Sequence, residues 1–318
     1  MPPSPSILAI GGAHIDRRGR VLGDFVPGAS NPGEMREEVG GGAFNAARAM
    51  AGRSHGVALL SARGGDAGGD AVAAAIERAG LADLSAIFLD RATPSYTAIL
   101  DRGGDVLAAL ADMALYDLAF DKQLRRAKTR DALAGAEAIL CDANLPAAAL
   151  ERLAGLAGET PLFAIGVSPA KVTRLRRIAG RIACLFINRR EAAALAGADA
   201  AADPSSLAAA LRAAGLRSAV VTSGSAPLVA FEDATVFEVT PPATDRVADV
   251  TGAGDALAGT VVSALVRGQP FADAVREGLA AARLCIESTH AAPDHDPDAF
   301  ARVLATIPPL HALPLATI

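Results

Sequence analysis

Short apolar β-type runs alternate with longer alanine-rich stretches of helical periodicity through most of the 318 residues, and few folds accept that alternation. Strand followed by helix, repeated, is the pattern of βαβ units around a mainly parallel sheet buried on both faces. Strands are predicted over residues 7–10, 57–61, 138–141, 162–165, 184–187 and 219–222, with helices over 43–51, 71–79, 145–154, 190–196 and 207–214. The fold class is therefore α/β, a doubly wound, mainly parallel sheet flanked by helices. Two stretches break the rhythm. Residues 17–39 are rich in Gly, Pro and charge, and residues 94–110 read as a hairpin whose arms, 96–100 and 106–110, flank Asp101-Arg102-Gly103-Gly104. We read them as one inserted unit, a discontinuous β lid within a single domain spanning residues 1–318, because irregular segments of this length usually serve a site.

Composition excludes several classes of function. Hydrophobic residues make up 51% of the chain, enough for a large core, so it is no disordered tail. Lys and Arg total 30 against 35 Asp and Glu, with no basic block, which argues against nucleic acid as a partner and favours a small molecule. Cys141, Cys184 and Cys285 are widely spaced and odd in number, as expected of a reduced, cytoplasmic protein. The five histidines show no metal-ligand spacing, residues 1–6 carry no basic leader, and the apolar helix pattern over 256–266 is too short for a bilayer. Aromatics are 4% with no Trp, so stacking on a ligand rests on few rings, with Phe44, Tyr96 and Tyr116 the candidates.

The most specific segment is Asp249-Val250-Thr251-Gly252-Ala253-Gly254-Asp255, followed by an apolar helix. A glycine-rich turn entering a helix aims unpaired N–H groups and the positive end of the dipole at one point, which suits a phosphate. Asp255 falls in the first turn, where the dipole is expected to keep it ionised and able to take a proton from an attacking hydroxyl. Neither a P-loop lysine motif nor a completed GxGxxG is present.

At these residues the chain resembles the ribokinase family, also called PfkB carbohydrate kinases, whose signature is D-x-T-G-A-G-D. The resemblance runs along nearly the whole sequence. Gly40-Gly41-Gly42-Ala43-Phe44-Asn45 is similar to the family's GG-x-G/A-x-N signature, Gly64-Gly65-Asp66-Ala67-Gly68-Gly69 to its G-x-D-x-x-G turn, and Gly11-Gly12-Ala13-His14-Ile15-Asp16 to the first-strand pattern ending in a sugar-binding Asp. Asn188-Arg189-Arg190-Glu191 matches its N-x-x-E motif, although the same residues also spell a capping box, and the two roles are compatible. Thr222-Ser223-Gly224 resembles its nucleotide-receiving T-x-G turn, with Pro227 standing where the family often has a second glycine.

The resemblance implies an ATP-dependent kinase with Asp255 as base and the Gly252, Ala253 and Gly254 amides as anion hole. It implies nucleotide contacts at Asn188, Thr222, Gly224 and Thr251, with Gly252 and Gly254 shared between the two roles. It further implies Mg2+ held through water by Glu191, a monovalent cation such as K+ at Asp249, and a sugar bound by Asp16, Gly41, Gly42 and Asn45. Within the family, Ser30-Asn31-Pro32-Gly33, Ala111-Asp112-Met113, Asp142-Ala143-Asn144-Leu145 and Val167-Ser168-Pro169-Ala170-Lys171 resemble pseudouridine kinases, adding Asp112 and Lys171 as substrate contacts. His14 and Phe44 depart from that subfamily, where Asn and Arg are usual. The expected reaction is phosphorylation of the 5′-hydroxyl of a ribosyl substrate, pseudouridine first, with a homodimer formed through the lid. A kinase for ribose, fructose or another nucleoside is the alternative. A non-catalytic sugar- or nucleoside-binding regulator would need neither Asp255 nor the Asn188/Glu191 pair.

Overall fold

The computed structural model describes residues 6–53, 55–244, 246–288 and 296–313; residues 1–5, His290 and His295, read above, lie outside them. Ten strands form the main sheet. Its parallel part runs, by neighbour, Ala82–Asp83, Val57–Leu60, Ile7–Ile10, Ala138–Asp142, Leu162–Ile165, Ile182–Asn188 and Ser218–Thr222. Leu228–Glu232, Thr235–Val239 and His311–Ala312 then extend it antiparallel.

Both faces are covered, as the unbroken apolar runs require. On Ile7–Ile10, Leu8 and Ile10 pack into one core with Tyr116, Leu150 and Leu185, whereas Ile7 and Ala9 pack into the other with Ala43, Met50 and Val261. Helices Gly42–Ala51, Ala253–Val266 and Phe271–Ile286 form the second face, and glycine sets their spacing. A Cβ on Gly259 would lie 2.3 Å from the Ala46 carbonyl oxygen, so the first two helices touch backbone to backbone. Asp255 is one helical turn from Gly259, and this close approach carries it onto Asn45.

The predicted strands and helices are present with ends shifted by a few residues. The largest shift is at Ala67–Arg78, which begins four residues before the predicted start because Asp66 caps it, its carboxylate accepting the Gly69 N–H at 2.8 Å. The two segments that broke the rhythm meet in a separate four-stranded sheet, ordered Gly33–Gly40, His14–Val21, Ser95–Leu100, Val106–Asp112. Asp16 therefore sits on His14–Val21 of this small sheet, past the end of Ile7–Ile10 in the large one. Among the described residues no helix is long and apolar enough to cross a membrane, and the three cysteines are buried and form no disulfide.

Candidate active site

The site forms where two glycine-led helix starts converge. Gly41 precedes Gly42–Ala51 at φ 115°, and a Cβ there would lie 2.3 Å from the Gly12 carbonyl oxygen, so only glycine fits. Asp142, at the end of a central strand and fully buried, fills this helix start. Its Oδ2 accepts from the Gly12 N–H at 2.9 Å, the Ala43 N–H at 3.0 Å and the Asn144 amide at 3.1 Å, while Oδ1 accepts the Asn144 N–H at 2.9 Å. One carboxylate thus ties together the turn after the first strand, the helix start and the turn after its own strand. Sequence reasoning quoted Asp142 without giving it a role; a charged residue ending an otherwise apolar buried strand was the available signal.

The second helix start, led by Gly252 at φ 76°, is arranged differently. Asp255 accepts one hydrogen bond, from the Asn45 amide at 2.9 Å. Burial, reinforced by the nearby charges of Asp142, Asp16 and Glu191 and opposed by the Asn45 hydrogen bond, pushes Asp255 up to about 7. This corrects the expectation that the helix dipole keeps it ionised: desolvation and like charge outweigh the dipole. Asn45 is buried, and its Oδ1 has no partner among the described residues. Of the three amides assigned to the anion hole, Ala253 donates to the Val250 carbonyl in a long bond of 3.4 Å; none is recorded for Gly252 or Gly254 among the described residues.

Beside Asp255 opens a cleft lined by Gly254, Asn188, Glu191, Thr222 and Val167. Asn188 and Glu191 form the capping box, with the Asn188 N–H donating to Glu191 Oε2 at 2.9 Å and the Glu191 N–H to Asn188 Oδ1 at 3.0 Å. Burial raises Glu191 above the usual carboxylate range. A Cβ on Gly166 would meet its Oε2 at 2.7 Å, so Gly166 makes the room in which this carboxylate sits. Val167 follows with φ 72°, closed by a Ser168 N–H to Gly166 O bond of 3.0 Å, a strained γ-turn on the cleft wall. Gly224, at φ 64°, turns the chain between Thr222 and Leu228. Thr251 donates its N–H to Asp249 Oδ1 at 2.8 Å.

On the other side, Asp16 Oδ1 lies 3.2 Å from His14 Nε2, and a Cβ on Gly40 would meet Asp16 Oδ2 at 2.1 Å. His14 Nδ1 and the Ala13 N–H both contact the Tyr116 hydroxyl, at 3.2 and 3.0 Å. Lys171 Nζ donates to Asn144 Oδ1 at 2.6 Å; burial lowers its pKa, opposed by Asp142. Gly42 lies between the acids, since a Cβ there would be 3.3 Å from Asp142 and 3.5 Å from Asp255. Asp112 ends an exposed strand and has no recorded contact with this group. Phe44, 1% exposed, is core, and Tyr116 is equally buried against Phe120. Neither can stack on a ligand, so the half-buried Tyr96, paired in register with Asp16, is the remaining candidate ring.

Asp249 is held from the small sheet. Its Oδ2 accepts a hydrogen bond from Arg18 of the small sheet, in an ion pair that reaches 231 residues along the chain. Burial works against its charge, but the Thr251 hydrogen bonds and the Arg18 guanidinium outweigh it and hold the carboxyl below the usual range. Each oxygen thus accepts an N–H donor, and a monovalent cation in the role read from the sequence would have to share this carboxylate with the Arg18 guanidinium.

Residues 4–298 match the profile of the pfkB family carbohydrate kinases. The chain belongs to that family. It is accordingly an ATP-dependent sugar or nucleoside kinase. It is 30% identical over 289 residues to the pseudouridine kinase of Escherichia coli, covering 89% of this chain and 92% of that protein. A carbohydrate kinase structure from Agrobacterium tumefaciens superposes with a TM-score of 0.85 at 43% identity, covering 96% and 99% of the two chains. The ribokinase of Arabidopsis thaliana, solved with ribose and ATP, superposes with a TM-score of 0.83 at 19% identity over 95% and 99%, a likeness of fold.

Proposed function

We propose that this kinase transfers the γ-phosphoryl group of ATP to the 5′-hydroxyl of a ribosyl substrate, and that pseudouridine is its preferred acceptor. The position of Asp255 carries the reading: Asn45 holds it on one side, and the Asn188/Glu191/Thr222 cleft opens on the other. Phosphoryl transfer has a loose transition state, so the protein acts by positioning and charge stabilisation. Asp16 and Asn45 would orient the ribose, the unpartnered Asn45 Oδ1 accepting from a sugar hydroxyl. Asp255 takes the hydroxyl proton, and a group titrating near 7 is well placed to accept and release one at neutral pH. The Gly252 and Gly254 amides face the charge developing on the phosphoryl oxygens.

The residues around Glu191 fit Mg2+. Glu191 sits in a cradle that a Cβ on Gly166 would fill, and Asn188 and Thr222 line the same cleft, oxygen-bearing side chains suited to a hydrated Mg2+. When bound, Mg2+ supplies charge neutralisation at the phosphates; Glu191 would hold its water shell, and Thr222 and Gly224 would border the nucleotide.

Resemblance to pseudouridine kinases along the chain and the Asn144–Lys171 pair beside Asp142 support the choice of acceptor. Pseudouridine presents a ring N–H that uridine lacks, and a pocket acceptor left unpaired by uridine discriminates strongly. An ADP-release assay should give a higher kcat/KM for pseudouridine than for uridine, ribose or fructose; preference for free ribose or a hexose would sink the assignment. The small sheet also supports a homodimer, since its edge strand Val106–Asp112 is exposed throughout, with Val106 and Leu110 well exposed to solvent. Sedimentation at micromolar concentration should show a dimer that Leu110→Lys dissociates; a wild-type monomer would rule this out.

A further inference from the structure

The contact between Arg18 and Asp249 joins the small sheet to the segment that leads into the second helix start. Arg18 is on strand His14–Val21, with Glu38 of the neighbouring strand 3.8 Å away as its second acidic partner. Both side chains of the Arg18–Asp249 pair are largely withdrawn from solvent, at 22% and 28% exposure, where a pair is screened less than on an open surface. Asp249 Oδ1 accepts the Thr251 N–H, which fixes the chain direction just before Gly252. A monovalent ion on this carboxylate would have to settle against a fixed positive charge.

We propose that Arg18 is a positioning residue that supplies from the small sheet the positive charge a diffusible cation would otherwise bring to residues 249–254. Closure of the small sheet and ordering of the turn are then a single event: Arg18 fixes Asp249, Asp249 fixes Thr251, and Thr251 leads into Gly252. When the sheet swings away to admit an acceptor, the carboxylate loses its guanidinium and the turn relaxes. The phosphate seat is therefore complete only when the acceptor is covered, which limits transfer to water. The inference rests on Gly252–Gly254 being the phosphate seat, but its test needs no turnover.

Hydrogen exchange of peptides covering residues 247–254 is measured for the wild-type chain in KCl and in tetramethylammonium chloride at equal ionic strength, and for Arg18→Met and Arg18→Lys. Wild-type protection is expected to be the same in both salts. Arg18→Met should exchange about tenfold faster in this segment while distant strands keep their protection, and Arg18→Lys should recover part of the loss. Wild-type protection severalfold higher in KCl, or Arg18→Met exchanging like the wild type, would overturn the proposal. If Arg18→Met does not fold, Asp249→Asn probes the same link from its other end, and the comparison of salts needs no variant. A substrate panel without turnover would refute the proposed function and leave this inference standing, whereas K+-dependent protection would do the reverse.

Discussion

Two helix starts lie side by side in this molecule, and each is led by a glycine with positive φ and approached by an aspartate. At Gly42–Ala51 the aspartate comes from a strand and receives four N–H donors, Ala43 of the helix among them, while the Phe44 N–H goes to the Gly12 carbonyl, so acid and helix start are occupied by the protein itself. At Ala253–Val266 the aspartate belongs to the helix, receives one donor, and faces a cleft. A helix start has the same orphan N–H groups wherever it occurs. What separates scaffold from chemistry here is whether those groups and the acid beside them are already occupied.

The comparison can be tested from its saturated side first. Asp142→Ala would leave three buried backbone N–H groups without their acceptor, and at about 1 kcal/mol or more each the expected loss of stability is roughly 3 kcal/mol or more. Denaturant unfolding reads this directly; a loss below about 1 kcal/mol would mean that water replaces the carboxylate and that Asp142 is no anchor.

On the open side, Asp255→Asn is expected to lower kcat by at least about 10²-fold with the fold intact. The wild-type rate should rise with pH through about 7, because the base form is the ionised one. Stability has the opposite slope. A carboxyl raised in the folded state binds its proton there more tightly than in the unfolded chain, so its contribution falls as pH climbs from the ordinary carboxylate range to about 7. Asp255→Asn should therefore melt higher than the wild type at pH 8, by a smaller margin at pH 5, and about equally near pH 3. Equal melting at pH 8 would show that Asp255 is not held against its charge.

The smallest expected effect is at Glu191, which belongs to both categories. Glu191→Gln keeps an acceptor for the Asn188 N–H, so melting should barely move, while the Mg2+ concentration for half-maximal rate should rise. An unchanged magnesium titration would place Glu191 wholly on the scaffold side.

Much of this arrangement is legible in the sequence, for reasons that differ from residue to residue. The strand at residues 7–10 and the helix behind Asn188 are written in local pattern, as are the glycines at 41 and 252, because periodicity, capping and backbone freedom act over a few residues. Asp142 is not legible in this way, since its donors at Gly12 and Ala43 are 130 and 99 residues distant. The Arg18–Asp249 pair was hidden for the same reason, and there the reading by resemblance assigned Asp249 a different partner. Phe44 shows the converse: an aromatic beside a site motif reads as a ligand contact until packing shows it to be core. The strands Leu228–Glu232 and Thr235–Val239 were missed because an antiparallel hairpin departs from the strand–helix rhythm on which the reading relied.

The bond between Asn45 and Asp255 closes a loop of 210 residues. On the ribosome, therefore, the residues proposed to hold the acceptor emerge long before the proposed base. A nascent chain could pair the first strands and bury Asp142 while residues 253–266 are still unmade, and the face of Gly42–Ala51 that meets Gly259 would stand uncovered through that interval. On the proposed function, activity arrives late and all at once, with the helix that completes the core also delivering the proposed proton acceptor. A chain cut short before that helix would not be a weaker kinase but an unfinished one, exposing its apolar face to other proteins in the cell.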